Sequence, residues 1–186
     1  VVDPAPGAGG AGGMEYPTLI TAGSAAHMLA GQRSLETVII HEFGHQYFYG
    51  LLASNEFEEA WLDEGINTYT EMLIVDEVYG GMLKVAGFEI RDTDVHRSVY
   101  TGGADVEPTV MPAWQHVSNS SYGVNAYSKP GLALMTLHHH LGGEVMRDVL
   151  RTYVARYRFT HPTSADFIAV TNEVSGQDLS RFFEQA

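Results

Sequence analysis

Residues 34–51 read Ser-Leu-Glu-Thr-Val-Ile-Ile-His-Glu-Phe-Gly-His-Gln-Tyr-Phe-Tyr-Gly-Leu, and this stretch decides the fold. Its apolar residues recur every three or four positions, which is the period of an α-helix with one buried face. Ser34 is predicted to cap the helix, with Glu36 in the first turn, where a carboxylate interacts favourably with the helix dipole. The stretch therefore predicts a helix over 34–51 that carries two histidines.

The remainder of the chain continues the helical pattern. Glycines and one threonine punctuate further predicted helices, which cover residues 58–78, 83–99, 130–141, 144–157, 163–174 and 177–185. A short strand is predicted over 14–21, and Pro17 would confine it to a sheet edge. Residues 1–13 form a flexible Gly/Ala/Pro-rich start and residues 100–121 are predicted to be irregular. The fold class is α+β and predominantly α-helical, in one domain over 1–186.

The composition and charge of the chain argue against several classes of function. The net charge of −13 argues against nucleic-acid binding, because phosphate contacts need a basic surface. The chain has no cysteine, so a metal would be held by histidine and carboxylate. No apolar run approaches the ~18–20 residues that span a bilayer. The chain begins with Val1 and shows no signal peptide, which suggests a piece of a longer protein and leaves localisation unknown.

Residues 41–45 read His-Glu-Phe-Gly-His. Helical positions four apart lie about 40° apart on one face and about 6 Å apart along the axis. Both imidazoles can therefore reach one Zn²⁺, while Glu42 lies beside them and can contact a water. A catalytic zinc needs a third protein ligand and one open position.

The next predicted helix offers that ligand. Glu64 lies in Trp-Leu-Asp-Glu-Gly, residues 61–65, at a spacing from His45 that lets the chain turn and return. Glu71 follows seven residues later, about 20° from Glu64 around the helix. It can accept a hydrogen bond from the outer N–H of a ligand histidine, a partner that such sites require.

These motifs resemble the gluzincin zinc aminopeptidases, the group of aminopeptidase N and the leukotriene-epoxide hydrolases. Gly12-Gly13-Met14-Glu15-Tyr16-Pro17 is similar to the family's Gly-x-Met-Glu-Asn substrate motif, and Tyr127-Ser128-Lys129-Pro130-Gly131 is similar to its Tyr-x-Lys-Gly element. This chain departs from the pattern at Tyr16, where the family has Asn, at the inserted Pro130, and at Asp63, where Asn is usual. The resemblance implies a thermolysin-like zinc peptidase catalytic domain.

The resemblance also implies a role for each motif residue. His41, His45 and Glu64 would hold one Zn²⁺ per chain, and Glu42 would move the proton of the attacking zinc-bound water. Tyr127 would donate to the oxyanion. Glu15 would pair with the free α-ammonium of a peptide substrate, and Gly12 and Gly13 would let the peptide backbone approach. In the family an N-terminal β domain, absent from this chain, helps enclose the α-amine, so the chain alone is expected to be a poor enzyme.

Two alternatives stay open beside a zinc aminopeptidase. A thermolysin-like endopeptidase would share the zinc ligands but would have no α-amine anchor, which makes Glu15 the discriminating residue. A non-catalytic zinc-binding domain could keep the fold, although the intact Glu42 argues against it. Tyr122 is interpreted as structural. The run His138-His139-His140 is not expected to form a second metal site, because consecutive helical residues point about 100° apart.

Overall fold

The predominantly helical α+β prediction is confirmed by the computed structural model, which describes residues 1–5, 8, 11–23, 29–103 and 107–186. The strands are β1 (Gly13–Met14), β2 (Thr21–Ala22), β3 (Leu83–Val85) and β4 (Phe88–Ile90). The helices are α1 (Ser34–Phe48), α2 (Glu56–Glu59), α3 (Trp61–Tyr79), α4 (Asp92–Gly103), α5 (Asn119–Tyr122), α6 (Lys129–Leu141), α7 (Gly143–Tyr157), α8 (Ser164–Ser175) and α9 (Ser180–Gln185). A 3₁₀ turn covers Ala113–Gln115 and a π-helical turn covers Gly123–Ser128. Within the described ranges, none of these helices combines the length and the apolar character that a membrane crossing needs.

The N-terminal sheet differs from the single strand predicted over 14–21. β1 and β2 pair antiparallel, and the residues between them form a turn in which Thr18 has a φ of 66°. Pro17 lies in that turn, where its fixed φ is compatible with the chain reversal. Val2 pairs with β2 on the other side, so β1 lies at the sheet edge and this part of the predicted flexible start is ordered. Residues 6, 7, 9 and 10 of that start lie outside the described residues.

The helix predicted over 83–99 is wrong in its first half. β3 and β4 form a hairpin there, and the helix α4 begins only at Asp92. Ala86 and Gly87 both have positive φ, 49° and 83°, which is the backbone of a tight hairpin turn and is incompatible with a helix. The stretch predicted to be irregular, 100–121, is also more regular than expected, since α4 extends to Gly103 and α5 begins at Asn119, while residues 104–106 lie outside the described residues.

Two further helix boundaries are corrected by local hydrogen bonds. α1 ends at Phe48, because the Gly50 N–H donates to the His45 carbonyl in a tight turn with no room for a Cβ. Ser34 is the first helical residue of α1 and makes no cap hydrogen bond. The helix predicted over 58–78 is two helices, since the Asn55 side chain caps α2 and α3 starts after it.

Three of the predicted helix boundaries follow ordinary capping rules. Gly80 and Gly176 end their helices in the left-handed conformation, at φ values of 69° and 67°. Thr163 and Asp166 form a capping box at the start of α8. The predictions for these three ends are confirmed.

The hydrophobic core lies between α3, α6, α7 and α8. Its fully buried side chains come from all four helices and include Tyr69, Leu134, Tyr153 and Phe167. Burial of apolar area of this kind supplies most of the free energy of folding. α3 is therefore fixed against the core on one side, and its other side receives α1.

Close packing of α1 on α3 positions the functional residues. Gly44 of α1 faces Asn67 of α3, and a Cβ at Gly44 would overlap the Asn67 side chain. The Asn67 Nδ2 donates to the His41 carbonyl oxygen at 2.6 Å, which ties the two helices at the level of the histidine pair. A glycine at this position lets the two backbones approach closely enough for side chains of both to share one ligand.

Candidate active site

The structure brings His41, His45 and Glu64 together between α1 and α3. Glu64 Oε2 lies 3.1 Å from His41 Nε2 and 3.3 Å from His45 Nε2, and all three donor atoms lie within 4.8 Å of one another. A tetrahedral zinc with ligands at about 2.05 Å places neighbouring donors about 3.3 Å apart. The donor set, two imidazole nitrogens and one carboxylate oxygen, therefore fits Zn²⁺ in both chemistry and spacing.

Each of the two histidines has a carboxylate behind it. The His41 Nδ1 lies 2.6 Å from Glu71 Oε2, and the His45 Nδ1 lies 2.5 Å from Asp63 Oδ1. These bonds engage Nδ1 of each ring and leave Nε2 as the nitrogen that faces Glu64, which is the ring orientation that metal-ligating histidines require. Glu71 therefore lies against the outer nitrogen of His41.

Sequence reasoning did not identify the corresponding role of Asp63. It treated Asp63 only as a departure from the family motif. No spacing along the chain signals this role, because the contact between Asp63 and His45 depends on how α1 packs across α3.

The electrostatics of the cluster favour positive charge at the imidazoles. Burial alone lowers the pKa of His41, but hydrogen bonds and charges from Glu64 and Glu71 outweigh it and raise the pKa to about 10. Burial likewise lowers the pKa of His45, and Asp63 with Glu64 raises it to about 11. Burial raises the pKa of Glu64, but the two histidines outweigh this effect and lower it to about 2. A cation held here would meet carboxylates that are already ionised.

Glu42 lies between the histidine pair and the N-terminal sheet. Burial raises the pKa of its carboxyl to about 7, against the lowering effect of the two histidines. A carboxyl with a pKa near neutrality can both accept and donate a proton at working pH. Gly13 lies so close that a Cβ there would clash with the Glu42 carboxylate. Gly13 therefore makes room for Glu42, whereas a Cβ at Gly12 would meet nothing within 4 Å.

Tyr127 reaches the site from the π-helical turn. Its Oη donates to Glu64 Oε1 at 2.5 Å, and its ring stacks on His41 with centroids 5.7 Å apart. Burial raises the pKa of Tyr127, and the nearby Glu64 charge raises it further, so the phenol stays neutral and remains a donor. Short π-helical segments occur often at functional sites, because the extra residue redirects a side chain. Tyr122 packs edge-on against the Tyr127 ring.

Glu15 follows β1 and lies beside the same group of side chains. Its backbone carbonyl accepts from Gln46 Nε2 at 3.3 Å, which attaches this segment to α1. A Glu15 carboxylate oxygen lies within 4.8 Å of donor atoms of Glu42 and His45. The anionic group predicted to meet an α-ammonium therefore lies next to the predicted proton carrier.

The histidine run of α6 stays apart from this site. His138 pairs with the Tyr69 hydroxyl, His139 with the Met135 carbonyl, and His140 with Gln177. The three side chains thus have three different partners and share no donor cluster within the described residues.

Sequence comparison relates the chain to known peptidases. A family model described as "Peptidase family M1 domain" matches residues 8–185. The chain is 30% identical over 165 residues to leukotriene A-4 hydrolase of Xenopus laevis, covering 84% of this chain and 26% of that protein. It is 28% identical over 172 residues to aminopeptidase B of Rattus norvegicus, covering 84% and 24%. It is 30% identical over 140 residues to aminopeptidase RNPEPL1 of Mus musculus, covering 70% and 19%.

Solved structures show the same fold. An M1 zinc metallopeptidase of Deinococcus radiodurans superposes with a TM-score of 0.70 at 19% identity, covering 93% of this chain and 36% of that one. Aminopeptidase A of Legionella pneumophila superposes with a TM-score of 0.68 at 20% identity, covering 93% and 20%. The chain thus spans about a third or less of the length of each relative and structure named here.

Proposed function

The chain belongs to peptidase family M1, and on that premise we propose that it is the catalytic part of a zinc-dependent aminopeptidase. The observation that carries the proposal is the position of Glu15, whose carboxylate lies within 4.8 Å of donor atoms of Glu42 and His45. An anionic group at this distance from the reacting centre can hold the α-ammonium of a peptide while the first peptide bond is cleaved. A thermolysin-like endopeptidase would have no use for such an anchor.

His41, His45 and Glu64 would hold the zinc, one ion per chain. When bound, Zn²⁺ supplies Lewis-acid chemistry, since it polarises a carbonyl and lowers the pKa of water from 15.7 towards ~7. Glu71 and Asp63 keep the two imidazoles in the tautomer and orientation that ligation requires.

Glu42 would transfer the protons, and Tyr127 would stabilise the negative charge of the oxyanion. Glu42 accepts the proton of the attacking water at its carboxylate and returns it to the nitrogen of the leaving amine. The Tyr127 Oη exchanges its bond to Glu64 for one to the oxyanion that develops on the scissile carbonyl. Glu15 holds the α-ammonium, and Gly13 leaves room for the Glu42 side chain beside it.

A substrate pair that differs only at the amino terminus tests the proposal. The chain covers at most 26% of the relatives named above, so the assay uses both this chain and the longest natural form of the protein, loaded with zinc. We expect hydrolysis of an alanyl-peptide with a free amine and none of its N-acetylated form. Internal cleavage of the acetylated peptide would instead identify an endopeptidase. Stoichiometric zinc without hydrolysis of either peptide would identify a binding domain.

Replacing Tyr127 with Phe should lower kcat/KM by about 10²–10³, the usual cost of removing one oxyanion donor. Zinc content should not change, because Tyr127 contacts the ligand Glu64 but is not itself a ligand. Steady-state kinetics and metal analysis measure the two quantities. The matched control is Tyr100→Phe, which removes a hydroxyl from α4, outside the donor cluster. A change under threefold for Tyr127→Phe would assign the oxyanion to another donor, and Tyr122 would be tested next.

A further inference from the structure

One histidine of α4 contacts both the carboxylate behind the proposed zinc ligand His41 and the turn that carries Tyr127. Glu71 Oε2 lies 2.6 Å from His41 Nδ1, and the other carboxylate oxygen, Oε1, faces His96 Nε2 at 3.8 Å. The second ring nitrogen, His96 Nδ1, lies 2.9 Å from Ser128 Oγ. Ser128 follows Tyr127 directly and is the last residue of the π-helical turn. His96 therefore links the two halves of the proposed catalytic site from behind.

The helix α4 holds this imidazole in place. Asp92 lies in the first turn of α4 and is 1% exposed, and His96 follows four residues later on the same helical face. His96 Nε2 also lies 3.8 Å from Asp92 Oδ2, which is buried and has no hydrogen-bond partner. At its other end α4 packs on the π-helical turn, since a Cβ at Gly103 would lie 3.1 Å from the Val124 side chain. Both ends of α4 thus keep the His96 ring between α3 and the turn.

The two groups that His96 contacts each control the direction of a functional side chain. Glu71 sets the orientation of His41, because a hydrogen bond at the outer nitrogen fixes the ring of a ligating imidazole. The π-helical backbone determines where the Tyr127 Oη lies. A side chain that contacts both therefore fixes the His41 ring and the Tyr127 hydroxyl relative to each other. Catalytic groups need such relations to be kept within about 0.5 Å.

We propose that His96 is a positioning residue with two separate arms. Its Nε2 supports Glu71 and through it the proposed ligand His41, while its Nδ1 supports Ser128 and through it Tyr127. The Tyr127 arm rests on the proposed function, whereas the His41 arm concerns metal binding alone. No motif of the sequence indicated His96, because its contacts join α4 to α3 and to the π-helical turn.

Two amide substitutions separate the arms. The amide of Asn can reach the position of Nδ1 in an imidazole, and the longer side chain of Gln can reach that of Nε2. His96→Asn should therefore keep the contact with Ser128, lose the contact with Glu71, and weaken zinc binding about tenfold, at the lower end of the range for residues that orient a ligand. His96→Gln should keep the zinc affinity of the unaltered chain. Equilibrium dialysis against a zinc chelator measures both.

The Tyr127 arm is measured with a ligand that is not turned over. A phosphinic analogue of alanyl-alanine carries a tetrahedral oxyanion and so requires the Tyr127 donor. In calorimetry on the zinc-saturated chain, His96→Gln should weaken this ligand about tenfold, since a displacement of 1 Å can cost ~10²-fold and a smaller one is expected here. In the longest natural form it should lower kcat by a similar factor at unaltered KM.

Ser128→Ala tests the same arm from its other side. It should reproduce the loss of phosphinic affinity, and combining it with His96→Gln should add nothing, because both changes break one contact. Arg97→Gln is the matched control on α4. Arg97 is exposed, pairs with Asp94 at 3.1 Å, and should alter neither zinc nor phosphinic affinity when replaced.

Each outcome decides one arm or both. Unaltered zinc affinity in His96→Asn would overturn the arm to Glu71. Unaltered phosphinic affinity in His96→Gln, or additive losses in the double variant, would overturn the arm to Ser128. Equal losses of both affinities in His96→Asn and His96→Gln would make His96 a packing residue only, and an unaltered chain that binds neither zinc nor the phosphinic ligand would overturn both arms. The predicted split in a protein that hydrolyses no peptide would support the positioning role and refute the proposed aminopeptidase function.

Discussion

His45→Ala should abolish stoichiometric zinc binding by the chain. His45 is 1% exposed, and its Nε2 lies 3.3 Å from Glu64 Oε2, so its removal takes away one of the three proposed ligands. Removing a residue that only orients a ligand typically costs 10- to 100-fold in metal affinity, and removing the ligand should cost more than about 100-fold. Equilibrium dialysis against a zinc chelator, with metal analysis by mass spectrometry, measures the loss.

The control for this experiment is His140→Ala. His140 lies on α6 and, among the described residues, its side chain bonds only to Gln177. The His140→Ala variant should therefore bind zinc as the unaltered chain does. A circular dichroism spectrum checks that His45→Ala remains folded, because the change also frees Asp63, which is buried. One equivalent of zinc at unaltered affinity in His45→Ala would exclude His45 as a ligand and would reopen the choice of donors.

Sequence reasoning reached the proposed zinc ligands because their geometry is local. His41 and His45 share a helical face whatever surrounds the helix, and only the return of Glu64 needed a turn of the chain. Glu71 followed from the same helical period. Each of these positions depends on a regular repeat, and the structure places all four side chains in one cluster.

The features that sequence reasoning missed depend on tertiary packing or on backbone conformation. The bond between Asp63 and His45 requires α1 to cross α3 at Gly44, a contact that no spacing along the chain indicates. The hairpin β3–β4 was interpreted as helix because its apolar residues fit either period over so short a range, and the positive φ values of Ala86 and Gly87 decide between them.

The direction of the Tyr127 side chain could not be predicted from the sequence. Its position in the sequence motif suggested a role, but a regular helix through residues 123–128 would have aimed the side chain differently. The π-helical turn places the Tyr127 Oη on Glu64 Oε1 at 2.5 Å. Side-chain direction at this point therefore depends on one irregular turn, which motif and period cannot predict.

Glu42→Gln should keep zinc and lose turnover, with kcat reduced by about 10²–10⁴, the range over which a positioned acid or base contributes. Gln has the shape of Glu, so the contact with Gly13 survives, but an amide cannot take the proton of the attacking water. Zinc should stay stoichiometric because Glu42 is outside the group of His41, His45 and Glu64.

This expectation is checked by single-turnover kinetics on a free-amine peptide, in the chain and in its longest natural form. The metal content is measured on the same samples. Glu36→Gln is the matched control, because Glu36 lies on the same helix, pairs with Arg33 at 2.8 Å, and should retain unaltered kcat. A loss of zinc in Glu42→Gln would make Glu42 a ligand rather than a proton carrier. Unaltered kcat would remove Glu42 from the mechanism, and Glu15, whose carboxylate also lies within 4.8 Å of His45, would be tested next for proton transfer.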